Sequence, residues 1–254
     1  MRISDVKVRT VAVPIEAPVR HSTGVHPYFQ RTIVQLYTDE GLMGLGEVGG
    51  AGVQRTAVEQ LKPRILGEDP YHLERIKLKV LRPSYYVSYG RMYAALEMAC
   101  LDIQGKACGR PVSDLIGGRL RDRVPFSAYL FYRYRNGDVG GETTPGEMVE
   151  HAQKLVRQYG FRSAKLKCGF LPPDHDIAVF RALRQEFGPA FALRIDPNGA
   201  WSRGTAIRVG KAIEDCSPEY YEDPTWGLEG MARVRERLSL PLATNMCVTG
   251  FDDV

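Results

Sequence analysis

Two hydrophobic rhythms divide the chain. Up to about residue 118, strand-like alternation is followed by helical spacing; beyond it, short apolar runs and amphipathic stretches take turns. Ile3 to Val13 is rich in valine and isoleucine with partial period-two alternation and reads as a strand. Arg31–Tyr37 and Met43–Glu47 flank Asp39-Glu40-Gly41, a turn signal that predicts a pair of strands. Pro14 to Pro27, holding His21 and His26, reads as a loop. Thr56–Leu66 and His72–Val80 read as helices, the first expected to end early at Pro63. In Gly90–Cys108 the residues Met92, Ala95, Leu96, Ala99 and Ile103 share one face, and Gly109 stops the helix.

After Gly117-Gly118 the rhythm becomes strand, helix, strand, helix. Phe126–Phe131, Ala164–Lys167, Ala192–Asp196, Tyr220–Glu222 and Leu242–Asn245 read as strands. The helices between them carry start and stop signals. Thr144-Pro145-Gly146-Glu147 has a capping hydroxyl, a proline suited to the first turn and a glutamate that reaches back. Gly160 and Gly188-Pro189 end helices, and Ser202 caps another. Alternation of this kind implies a parallel sheet. Lys165, Asp196, Glu222 and Asn245 stand at successive strand ends, 31, 26 and 23 residues apart. A (β/α)₈ barrel needs roughly 30 residues per unit and builds its sites at these C-terminal ends. A doubly wound open sheet prefers a glycine-rich loop after its first strand, and Tyr132-Arg-Tyr-Arg-Asn-Gly-Asp138 does not supply one.

Residues 1–118 are therefore expected to form an α+β domain, and residues 119–254 an incomplete (β/α)₈ (TIM-type) barrel of about five strands. A full barrel takes about 250 residues. An unclosed parallel sheet exposes strand edges, so the chain is expected to be part of a longer protein or larger assembly and to favour homo-oligomers.

Composition changes this picture little. Hydrophobic content of 44% and charge content of 25% are those of an ordinary soluble domain. The net charge of +4 comes from scattered basic residues, which gives nucleic-acid binding no support. No run approaches the roughly 20 apolar residues of a membrane span, and Met1-Arg-Ile-Ser-Asp5 lacks a signal-peptide core. The five cysteines are odd in number and widely spaced, which fits reduced thiols and a cytoplasmic location.

The strand ends carry the chemistry. Asp196, Glu222 and Asn245 are hard oxygen donors of the kind that hold Mg²⁺ while leaving positions open for a substrate carboxylate and hydroxyl. Lys165 and Lys167 project to one side of their strand, because side chains alternate with period two. A lysine beside another cation is expected to have a lowered pKa and to serve as a base. Together these groups suit proton removal next to a carboxylate.

These runs resemble the enolase superfamily over essentially the whole chain, with a capping domain first and the barrel after it. Lys165-x-Lys167, Asp196-Pro197-Asn198-Gly199-Ala200-Trp201, Glu222-Asp223-Pro224 and Ala243-Thr244-Asn245-Met246 are similar to the glucarate dehydratase group, which has asparagine as its third metal ligand. Thr23-Gly24-Val25-His26-Pro27-Tyr28-Phe29 and Tyr129-Leu130-Phe131-Tyr132 also resemble it. The resemblance implies Mg²⁺ on Asp196, Glu222 and Asn245, with Lys167 as base and Lys165 neutralising the substrate carboxylate. It also implies Asn198 on a substrate oxygen, with His26 and Tyr132 binding substrate. The implied activity is dehydration of a sugar acid or diacid of the glucarate type, by α-proton abstraction and β-elimination of water. Racemisation or epimerisation of a hydroxy acid is the alternative on the same scaffold. His21 stands where the group favours asparagine, and Ala94 where it favours a hydroxyl residue, which leaves the exact acid open. The family's second base, a histidine oriented by an aspartate, comes from later strands than those present. His151 and His175 do not fit that role by position, so a catalytically incomplete fragment is a further alternative.

Overall fold

Valine, isoleucine and threonine continue past the first expected strand, and the extended backbone continues with them. Strand β1 runs Ile3–His21 and β2 runs Gly24–Thr38, so the expected loop at 14–27 is the far part of two long strands joined by a two-residue turn. Extension at this end is held by pairing: Val19 and Arg20 align antiparallel with Arg133 and Tyr132. The computed structural model describes residues 1–81, 89–250 and 253. They fall into two units, Met1–Pro14 with Tyr28–Arg123, and Ile15–Pro27 with Val124–Val254. The segment 15–27, assigned from sequence to the first domain, therefore goes with the second unit.

In the first unit β2 pairs antiparallel with β3 (Met43–Gly49), from Arg31↔Gly49 to Tyr37↔Met43. Thr32, Val34, Leu36 and Thr38 are buried while the residues between them are half-exposed, as period two requires. The buried face packs with α1 (Gly52–Ile65), α2 (Leu73–Val80) and α3 (Gly90–Cys108). A single turn, α4 (Val112–Leu115), follows. Pro63 lies inside α1 rather than ending it. It is exposed and in the last turn, while Leu61 and Ile65 on either side are fully buried and hold the helix on. Gly44 and Gly46 set the strand–helix distance, since a methyl at either would strike the Ala99 or Ala95 carbonyl oxygen of α3.

The second unit alternates as expected: β4 (Ala128–Arg133), α5 (Pro145–Tyr159), β5 (Ser163–Lys167), α6 (Pro173–Phe187), β6 (Ala192–Asp196), α7 (Arg203–Ala212), β7 (Tyr220–Glu222), α8 (Leu228–Arg235) and β8 (Leu242–Ala243). The five strands are parallel and adjacent in sequence order. The capping box at α5 forms: Thr144 Oγ1 accepts from the Glu147 N–H at 3.3 Å, and Glu147 Oε2 accepts from the Thr144 N–H at 2.9 Å. Leu130, Leu166, Ile195 and Tyr221 lie side by side in register and are buried among residues from α5, α6 and α7. This wall of apolar contacts fixes one face of the sheet. The opposite face is left to Phe131, Lys167 and Asp196, which also align.

Replacing Gly46 with alanine should destabilise the first unit by roughly 1–3 kcal/mol, the usual cost of forcing extra volume into a packed contact. Urea unfolding monitored by circular dichroism measures this directly. A midpoint equal to wild type would show that β3 and α3 are not held at the observed spacing.

Candidate active site

Parallel register assembles the cluster. Phe131 pairs with Lys167, Lys167 with Asp196, and Glu222 with Ala243, so one row crosses the sheet at its C-terminal edge. Asp196 and Glu222 end adjacent strands whose preceding residues, Ile195 and Tyr221, are partners. All three charged residues of this row are buried: Asp196 is 1% exposed, Lys167 6% and Glu222 6%. Buried charges persist only when paired, and these are. Asp196 Oδ2 accepts from Lys167 Nζ at 2.6 Å and lies 3.3 Å from Lys165 Nζ. Lys165 Nζ also donates to Glu222 Oε2 at 2.8 Å. Asp196 Oδ1 accepts from the Asn198 backbone N–H at 2.9 Å.

The Lys165 ammonium thus sits between two carboxylates from neighbouring strands. Burial pulls its pKa down, but the hydrogen bond to Glu222 and the negative charge of the surrounding acids hold it well above an ordinary lysine. For Lys165 the hydrogen bond and the neighbouring acids outweigh burial.

The donor set fits magnesium. Two carboxylate oxygens already converge on one positive charge, the arrangement a hard divalent cation requires. Among the described residues no three His, Cys, Asp or Glu side chains gather for a metal. Asn245, the third donor expected from the sequence, follows β8, two residues past the Glu222 partner Ala243. Asn245 is exposed, and its backbone N–H is held by Asp223 Oδ2 at 3.1 Å.

Asn198 occupies a left-handed backbone conformation (φ 56°) at the rim, and its Nδ2 contacts Met246 Sδ at 2.7 Å. Non-glycine residues rarely adopt this conformation and do so mainly at turns and functional sites. His26 is exposed and stacks on His21, with ring centroids 4.5 Å apart. His21 has a lowered pKa, first through burial and then through the positive charges of His26 and Lys167. The structure therefore brings His21 within the electrostatic reach of Lys167.

Tyr132 does not join the site. It is fully buried on the helix-facing side of β4, and its hydroxyl donates to Asp176 at 2.7 Å. The reason is parity. Tyr129 and Phe131 pair with Lys165 and Lys167 and share their face, so Tyr132 faces the other way. Tyr129 is the aromatic residue beside the lysines, with Lys165 Nζ 4.8 Å from its ring centroid. The motif pattern alone does not single it out. Two-residue spacing counted back from the register partners of the lysines would have found it. His151 and His175 lie elsewhere. His151 Nδ1 is 3.2 Å from Arg133 Nη2 beside Glu142, and the His175 ring contacts Tyr132.

The sequence matches two family profiles: the mandelate racemase/muconate lactonizing enzyme N-terminal domain over residues 3–117, and the enolase C-terminal domain-like family over residues 147–254. A probable glucarate dehydratase of Streptomyces coelicolor is 35% identical, over 94% of this chain and 62% of its own length. An N-succinyl-L-Arg/Lys racemase of Bacillus cereus is 28% identical, over 95% and 65% respectively. The crystal structure of an enolase from Thermobispora bispora complexed with magnesium and formate superposes with a TM-score of 0.89 at 43% identity. It covers 100% of this chain and 65% of that one. The chain thus spans a little under two thirds of the length of these relatives.

Asp176 offers a test of the packing beneath the site. Burial raises its pKa from 3.8 to about 6, although Gly169 and Tyr132 donate to it. A carboxyl whose folded pKa is raised contributes stability that is fully present below 3.8 and is lost as pH rises through about 6. Relative to wild type, Asp176→Asn should gain on the order of 2 kcal/mol between pH 4 and pH 7, each tenfold change in proton affinity being worth about 1.4 kcal/mol. Thermal melts of both proteins across that range would show two parallel curves if Asp176 were instead ordinary. With its register, its paired lysines and both profiles in agreement, the chain belongs to the enolase superfamily.

Proposed function

We propose that this site serves a magnesium-dependent enzyme that removes a proton next to the carboxylate of a sugar acid, and that the reaction is dehydration of the glucarate type. The observation that carries this reading is the Lys165 ammonium held between Asp196 and Glu222, with Lys167 beside it on the same carboxylate. The glucarate dehydratase relative and the asparagine at position 245 favour a dehydratase over other members. The whole reaction is proposed for a protein of the full length of such relatives.

The magnesium ion, when bound, would supply fixed positive charge against the carboxylate as electrons move onto it. Asp196, Glu222 and Asn245 would hold it. Lys165, kept protonated by its acidic neighbours, neutralises the same developing charge and fixes the carboxylate. Lys167, as the neutral amine, takes the α-proton at Nζ and becomes the ammonium; its place on β5 puts it on the same face as Lys165 and one row further toward the rim. Asn198 directs its amide toward a substrate oxygen. His26, with His21 stacked on it, binds the far end of the acid. The β-hydroxyl then leaves as hydroxide, which takes a proton from solvent to become water, and the resulting enol tautomerises to a 2-keto-3-deoxy acid.

Racemisation at the same carbon is the second reading, favoured by the racemase relative. Both reactions begin with the same proton transfer. They differ in whether the β-hydroxyl then leaves or a proton returns to the opposite face.

Incubating the full-length gene product with a panel of aldarates and aldonates plus Mg²⁺ tests the proposal. A 2-keto-3-deoxy product from at least one acid is expected, with kcat falling about 10²–10⁴-fold in Lys167→Ala, the typical contribution of a general base. Deuterium entering from solvent without loss of water would favour racemisation. Activity that survives Lys167→Ala unchanged would refute the site.

A further inference from the structure

Asp223 is fully buried and carries no cationic partner among the described residues, yet every polar atom it has is engaged. Its backbone is left-handed (φ 37°), an unusual state for an aspartate. The carboxylate accepts from Thr244 Oγ1 at 2.5 Å through Oδ1 and from the Asn245 N–H at 3.1 Å through Oδ2. Its own N–H donates to the Ala243 carbonyl at 2.9 Å, and its carbonyl accepts from the Gly199 N–H at 2.7 Å. Thr244 Oγ1 in turn accepts from the N–H groups of Met246 and Cys247, at 3.3 and 2.9 Å.

One residue therefore binds the ends of three strands. It comes directly after Glu222 on β7. It holds the backbone of Asn245 after β8, and it holds the Asn198-Gly199 turn after β6. Glu222 and Asp196 are fixed within their strands and by the lysines, but Asn245 lies beyond the last residue of β8, which ends at Ala243. Its placement depends on the anchor of the turn, and that anchor is a carboxylate with no countercharge among the described residues.

We infer that Asp223 is a positioning residue for the metal site: it sets Asn245 as third ligand and, through Gly199 and Met246, sets the Asn198 amide. The inference rests on the magnesium reading of Asp196, Glu222 and Asn245. A purely structural aspartate would affect folding alone, whereas this one controls affinity for the ion.

Calorimetric titration of Mg²⁺ into the 254-residue chain separates the two roles. Wild type is compared with Asp223→Ala, Asp223→Asn, Thr244→Val and, as a stability control, Leu183→Ala in the core between sheet and helices. Each is titrated at a temperature where circular dichroism shows it folded. Asp223→Ala should bind Mg²⁺ at least about tenfold more weakly, the usual effect of losing a partner that orients a ligand. Asp223→Asn, which keeps one acceptor, should recover part of the loss, and Thr244→Val should weaken binding by a smaller factor. Leu183→Ala should melt earlier with unchanged affinity. If Asp223→Ala does not fold, Asp223→Asn and Thr244→Val carry the test. Unchanged affinity in the Asp223 and Thr244 variants, with melting lowered as in Leu183→Ala, overturns the inference and leaves the magnesium reading standing. No binding by wild type overturns both.

Discussion

A buried carboxylate shared by two lysines is the constraint on which this site depends. Asp196 is almost wholly removed from water, and an isolated charge there would be untenable. Lys165 and Lys167 supply the compensating charge from the neighbouring strand, and Glu222 balances the second positive charge from the other side. None of these four groups is stable in the interior alone. Each requires the parallel register that brings the others alongside, so the register and the cluster depend on each other.

The opposite face of the sheet provides that register. Leu130, Leu166, Ile195 and Tyr221 form a row packed beneath helices, and shifting any strand by one residue would exchange this row with the charged one. The penalty for such a slip includes lost apolar burial and a lysine or aspartate placed among leucines. The apolar face therefore fixes where the polar groups stand, and the polar groups in turn penalise any other alignment. The strain lies where the chain leaves the strands, at Asn198 and Asp223, both left-handed; Asp223 is bound to the segments after β6 and β8, and the Asn198 amide contacts Met246 after β8.

Element boundaries and caps are largely legible in the sequence. The capping box at Thr144 and Glu147, the stop at Gly109 and the strand ends at Lys167, Asp196 and Glu222 all come from local chemistry, which sequence records directly. Departures arise where the deciding partner is distant. Residues 14–21 are extended because part of them pairs with β4, more than a hundred positions away. Pro63 stays helical because Leu61 and Ile65 are buried on either side of it. Tyr132 belongs to an aromatic run that suggests a substrate contact, but the pairing of Tyr129 with Lys165 sends Tyr132 to the other face.

By itself the sequence determined the alternation of strands and helices and the place of Lys167, Asp196 and Glu222 at strand ends. These depend on spacing and residue type, which are properties of the chain. Only the tertiary structure decided which aromatic faces the lysines, that Lys165 is held charged between two acids, and that Asp223 ties three strand ends together. Those depend on which strands become neighbours and in what register. Electrostatic balance and hydrogen-bond geometry exist only once groups distant in sequence share the same few ångströms.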